Sequence, residues 1–128
     1  MPEPHPFRRA AEAKDLELLA EALREDVKLH SPVLFRGFEG RDVVTQVLTH
    51  VAATLEDLAY TDELHEGNTV ALRFKARVGD RELEGVDFLE LDEEGRVAVL
   101  TVFMRPMSAL TVFNERMMER LGVEPGNV

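Results

Sequence analysis

The chain has no cysteine, which excludes disulfides, thiolate metal sites and cysteine nucleophiles. It is short of bases: 15 lysines and arginines stand against 25 acids, for a formal charge of −10. Nucleic acids and anionic membranes are bound through dense basic patches, so neither is an expected partner. No apolar run approaches the ~18 residues of a membrane-spanning helix. The opening segment, Met1 to Pro6, lacks the apolar core of a secretion signal, and a cytoplasmic location is the expectation. Glycine-rich phosphate loops, Gly-x-Ser-x-Gly and His-Glu-x-x-His are all missing. The four histidines have no metal-ligand spacing, so no metal and no cofactor are expected.

What remains is an ordinary globular composition. The chain has 128 residues, 45% of them apolar, which suits one domain over residues 1–128 with a frayed tail at 122–128. Prolines 2, 4 and 6 keep the start extended, and a helix can begin near Pro6 or Phe7. Asp15 reads as an N-cap, followed at helical spacing by Leu16, Leu19, Ala20 and Leu23. Val27 to Val33 alternates and is closed by Ser31-Pro32, so it reads as a short edge strand or strand-like loop. A third helix is expected from Arg41 to about Leu55, with Val44, Val47, Leu48, Val51 and Leu55 as its core stripe.

From Leu58 the period changes to two. Strands joined by turns at Glu66-Gly67-Asn68, Gly79-Asp80 and Asp92 to Gly95 lead to Pro106, and a last helix is expected from about Ser108 to Leu121. Helices first and hairpins afterward indicate α+β, with helices on one face of a curved antiparallel sheet. The last two strands are apolar on both faces. Leu100, Val102 and Met104 alternate with Val99, Thr101 and Phe103, while Val86 and Phe88 lie opposite Asp87. One layer of helices covers one face, so a homodimer through the outer face is expected.

Asp87 stands out within the run Leu83 to Leu91. Alternation places it with Leu83, Leu89 and Leu91 on an apolar face, where an unpaired charge costs several kcal/mol or is neutralised by a raised pKa. Such an acid is either used or paired. It can serve as a catalytic acid or base, with His30 as proton partner, or be a structural acid bonded to His30 or a backbone amide. Tyr60, the one tyrosine, shares a strand face with Leu58 and Leu64, and is read as core with a solvated hydroxyl or as a ligand contact. His50, beside the apolar stripe of the third helix, can reach the cavity; His65 and His5 are read as solvated. Arg73, Lys75 and Arg77 are expected to pair with Glu82 and Glu84 across a hairpin. Met104, Met107, Met117 and Met118 suggest an adaptable apolar lining near the last helix.

This order of elements, with His30-Ser31-Pro32 before the third helix, resembles the nuclear transport factor two-like superfamily. That is the cone-shaped fold of ketosteroid isomerases, limonene epoxide hydrolases and SnoaL-like polyketide cyclases. The resemblance runs from Phe7 to about Leu121 and implies a curved sheet wrapped on helices, an enclosed pocket, and dimers packed sheet to sheet. It places Asp87 where ketosteroid isomerases carry the protonated acid of their oxyanion hole, with Leu100, Val102 and Met104 in the pocket wall. Two departures oppose steroid isomerisation: Ser31 replaces the general-base aspartate, and Phe7 replaces the oxyanion-hole tyrosine. Epoxide hydrolysis lacks its acid on the last strand, where Val102 stands. Many SnoaL-like proteins carry Asp-Pro where this chain has Arg105-Pro106, and alternation turns Arg105 away from Asp87.

Two functional classes follow. The first is a pocket protein that binds a small apolar molecule against Phe7, Ser31, Tyr60, Phe74, Leu89, Leu100, Val102 and Met104, near Asp87. The second is an isomerase, cyclase, dehydratase or hydrolase in which Asp87 and His30 move a proton.

Overall fold

The computed structural model describes residues 3–122; the expected fraying of the tail beyond Gly122 lies outside the described residues. Ten elements follow in chain order: α1 (Pro6–Ala13), α2 (Leu16–Glu21), β1 (Leu23–His30), β2 (Phe38–Glu39), α3 (Arg41–Thr54), β3 (Glu56–Glu66), β4 (Thr69–Val78), β5 (Arg81–Leu91), β6 (Val97–Arg105) and α4 (Met107–Leu121). The strands form one six-stranded sheet in the order β2-β1-β6-β5-β4-β3. This is the expected mixed α+β architecture.

Local chemistry explains most of the boundaries. Proline at the first position of α1 loses no helical hydrogen bond, and the Asp15 carboxylate caps α2 by accepting from the Leu18 N–H at 3.2 Å. Gly122 closes α4 in the left-handed conformation (φ 69°) that costs glycine least. In β4, Val70, Leu72, Phe74, Ala76 and Val78 are buried while Arg73 and Lys75 are exposed, so that strand has one core face and one wet face. Burying each large member of such a row contributes about 1.5–3 kcal/mol. The helices lie on this inner face: α3 packs on β1, α2 and α4, and α4 packs on β4, β5 and β6.

Three expectations need correction. Leu23 begins β1 rather than ending a helix, because its carbonyl oxygen accepts from Arg41 and its backbone registers with Val97. The strand expected over Val27 to Val33 runs from Leu23 to His30 and is internal, flanked by β2 and β6; Ser31 ends it by turning its hydroxyl back to accept from the Leu34 N–H at 3.0 Å. Its pairing with β6 is parallel, so the sheet is mixed rather than wholly antiparallel.

β3 also departs from plain alternation. Tyr60 registers with Phe74 and Asp62 with Arg73, which leaves Thr61 as an extra residue. Such a bulge bends the strand and exchanges its faces. Beyond it Leu64 aligns with Ala71 on the outer face and is 69% exposed, so it does not share a face with Tyr60. On the same outer face, Arg73 and Arg105 both pair with Glu84, and Arg77 bonds Asp57 at 2.7 Å rather than Glu82.

Candidate functional site

The sheet, the four helices and the loop after β1 enclose a cavity of about 90 Å³. Its wall is apolar: Phe7 and Ala10 from α1, Leu19 from α2, Val47, Leu48 and Val51 from α3, and Phe113, Met117 and Met118 from α4. The polar side chains among its lining residues are Lys14, Ser31, Tyr60 and Asp87.

Asp87 reaches this wall because the period of β5 is unbroken. It registers with Leu72 on one side and Val102 on the other, in a row on the inner face. Tyr60 arrives from β3, and its hydroxyl donates to Asp87 Oδ2 at 2.6 Å. Both residues are 7% exposed. The Tyr60 ring stands edge-on to Phe74, with centroids 6.0 Å apart. Phe74 itself lies across Gly85, where a Cβ would collide with the Phe103 carbonyl oxygen and sit 2.7 Å from Phe74 Cζ. Glycine at that position allows the strands and ring to close together.

Helix α1 fixes Tyr60 from behind. Glu12 accepts from the Tyr60 N–H at 3.1 Å, and Arg8 donates to its carbonyl oxygen at 3.2 Å. The Arg8 guanidinium also lies 5.9 Å from the ring centroid, in cation–π range, and pairs with Glu12 at 3.5 Å. The phenol therefore has little freedom to leave Asp87.

Burial raises Asp87 from its ordinary value of 3.8 to about 7, and the Tyr60 hydroxyl bond opposes only part of that shift. Burial, with Asp87 alongside, pushes the Tyr60 hydroxyl well above its usual range, so it stays protonated. Near neutral pH the pair thus holds a fixed donor and a carboxyl that is partly protonated. It can donate to a ligand oxygen, accept from a ligand hydroxyl, or pass a proton in either direction.

Comparison with known proteins places this geometry. A SnoaL-like domain model matches residues 6–100. The chain belongs to the SnoaL-like family. Among solved structures it is similar to a steroid delta-isomerase from Pseudomonas aeruginosa, at 36% identity over 91% of this chain and 86% of that one, with a TM-score of 0.86. An uncharacterized protein with a cystatin-like fold from Silicibacter pomeroyi matches at 29% identity over 93% and 84%, with a TM-score of 0.88. A putative ketosteroid isomerase from Kribbella flavida matches at 26% identity over 79% and 73%, with a TM-score of 0.69. No curated protein matches.

Within this SnoaL-like domain, Phe7, Ser31, Tyr60, Phe74, Asp87, Val102 and Met104 all line the cavity. Leu89 and Leu100 do not; they register with each other and are fully buried in the core. His30 does not meet Asp87. It registers with Thr101, which registers with Phe88, and that row lies on the face opposite Asp87. Its ring packs instead beside Gly37. His50 is also outside the lining. Met107 is 82% exposed, whereas Met104, Met117 and Met118 line the cavity.

His5 is buried rather than solvated. Its Nδ1 accepts from the Phe7 N–H at 3.0 Å as the cap of α1, and its Nε2 lies 2.8 Å from the Gly95 carbonyl oxygen. His65 pairs with Glu63. Burial opposes ionisation of Glu63, but bonds from His65, the His5 N–H and Arg8 outweigh it and hold the carboxyl below its ordinary value. Among the described residues, no group of three or more His, Asp or Glu side chains could hold a metal ion. Nor is any helix of the described residues long and apolar enough to cross a membrane.

Arg8, Glu12 and Lys14 are not singled out by the sequence alone. The available signal for the first two was their four-residue spacing on α1, which sets a basic and an acidic side chain on one helix face.

Proposed function

We propose that this SnoaL-like domain is a small-molecule pocket protein whose ligand is apolar and carries one oxygen that docks on the Tyr60–Asp87 pair. One observation carries the reading: the cavity wall is apolar, and its deep polar groups are joined at 2.6 Å. An apolar body gains from leaving water, and a single oxygen positions it. A pocket that supplies a hydrogen bond discriminates strongly against ligands unable to use it.

The test is a matched pair of ligands. Acetophenone and ethylbenzene have nearly the same shape, and only the ketone can accept from the pair. By calorimetry or NMR titration, acetophenone should bind about tenfold tighter, and the Tyr60→Phe, Asp87→Leu double variant, which leaves no side-chain donor there, should erase the difference. Equal affinities, or no binding of either, would sink the reading.

A second reading is supported by the position of Asp87 near 7, where a carboxyl works as general acid or base. In this version the domain is an enzyme and Tyr60, rather than His30, is the partner of Asp87. Conversion of a steroid by the protein, lost on Asp87→Asn, would favour it. Ser31 at the expected base position supplies no carboxylate, which keeps binding as the preferred reading.

We also propose that a second copy covers the outer sheet face. Leu64, Phe88 and Phe103 are 69%, 36% and 56% exposed there, and flanking charges such as Glu84 with Arg105 frame the apolar centre. An apolar core with a polar rim is the usual anatomy of such an interface.

A further inference from the structure

We propose that the ligand is an amphiphilic anion, with its acid group held by Lys14 at the cavity mouth. The inference rests on the pocket reading above and adds the chemical class of the far end of the ligand.

Lys14 is the cationic side chain among the lining residues, and it is exposed. It occupies the left-handed C-cap of α1 (φ 53°), and its ammonium donates to the Leu55 carbonyl oxygen at the end of α3, at 3.1 Å. The side chain therefore bridges two helix ends while lining the cavity on its exposed side. An ammonium has three N–H donors, and one is used on Leu55.

The carboxylates nearest in sequence to Lys14 and to its anchor are turned elsewhere. Asp15 caps Leu18, Glu12 bonds Tyr60 N–H, Glu56 accepts from Gly79 N–H, and Asp57 pairs with Arg77. Among the described residues, no carboxylate lies within salt-bridge distance of Lys14, although nine of the acids do pair with basic groups. In a chain of charge −10, an unpaired cation at an apolar mouth is the local exception to a field that repels anions. A ligand with an apolar body and a terminal carboxylate would place its oxygen on Tyr60–Asp87 and its charge on Lys14.

The probes extend acetophenone: ω-oxo-ω-phenyl carboxylates with two, three or four methylenes between ketone and acid, each beside its neutral, isosteric amide. Calorimetry at low salt should show at least one acid binding roughly three- to tenfold tighter than its amide, with the preference shrinking as salt rises. Lys14→Gln keeps a donor for Leu55 and removes the charge; it should erase the preference of each acid over its amide. Lys14→Arg should retain it. If acetophenone binds while every acid equals its amide, the anion proposal fails and the pocket reading stands. If acetophenone does not bind, both fail. An acid preference that survives Lys14→Gln would also overturn the role of Lys14.

Discussion

In the unfolded chain Asp87 ionises near its ordinary value, and in the fold burial lifts it to about 7. A carboxyl raised in this way adds stability that is complete below the unfolded pKa and is lost as pH climbs through the folded one. Between pH 5 and pH 8 the loss from this residue is about 2–3 kcal/mol. Asp87→Asn cannot ionise, so urea unfolding of variant and wild type should diverge by that amount over the interval, with Asn gaining. Parallel pH profiles would mean that Asp87 ionises as freely in the fold as outside it. Tyr60→Phe makes a companion test at the same bond. The hydroxyl favours the carboxylate form, so its removal should move the Asp87 titration upward from about 7 in carboxyl-carbon NMR. A downward shift would reverse the assigned role of that bond.

At the level of elements, the backbone of β5 is most tightly constrained at Gly85. Gly85→Ala inserts a Cβ against the Phe103 carbonyl oxygen and the Phe74 ring, and should cost about 1–3 kcal/mol, with matching loss of the Tyr60 contact, by thermal unfolding and aromatic NMR. An unchanged melting temperature would show that β5 and β6 can part there freely. The same elements show what the sequence made legible. Asp87 is legible on the inner face because nothing interrupts the period of two from Leu83 to Leu89. Plain alternation puts Tyr60 beside Leu64 because Thr61 is an ordinary strand residue, and no composition signal marks it as a bulge. The sequence offers His30 as a partner for Asp87 because neighbouring positions in the chain do not reveal which row of the sheet a residue joins; the parallel register with β6 decides that. His5 escaped because its cap is a ring nitrogen among prolines, outside the Ser, Thr, Asp and Asn set that usually signals a helix start. The fold class was recoverable because it follows from the order of periods, 3.6 and then 2.

For the molecule as a whole, inner and outer faces of one sheet serve different ends. The inner face holds the cavity, and the outer face leaves Leu64, Phe88 and Phe103 exposed for the second copy proposed above. Phe103→Glu places a charge in the middle of that apolar field and should convert a dimer to a monomer in sedimentation equilibrium, leaving acetophenone affinity within about twofold. Sedimentation of the wild type as a monomer at high concentration would remove the second copy from the account. The bond between Tyr60 and Asp87 has one more consequence, and it is optical. The chain contains one tyrosine and no tryptophan, so under tyrosine-selective excitation its emission comes from a single phenol, and that phenol lines the cavity. Ionisation of the carboxyl, entry of a ketone, or displacement of the ring from Phe74 each alters the same fluorophore. The domain therefore carries its own unlabelled reporter in the cavity wall, and a ligand docked on that pair would announce itself in the light the protein emits.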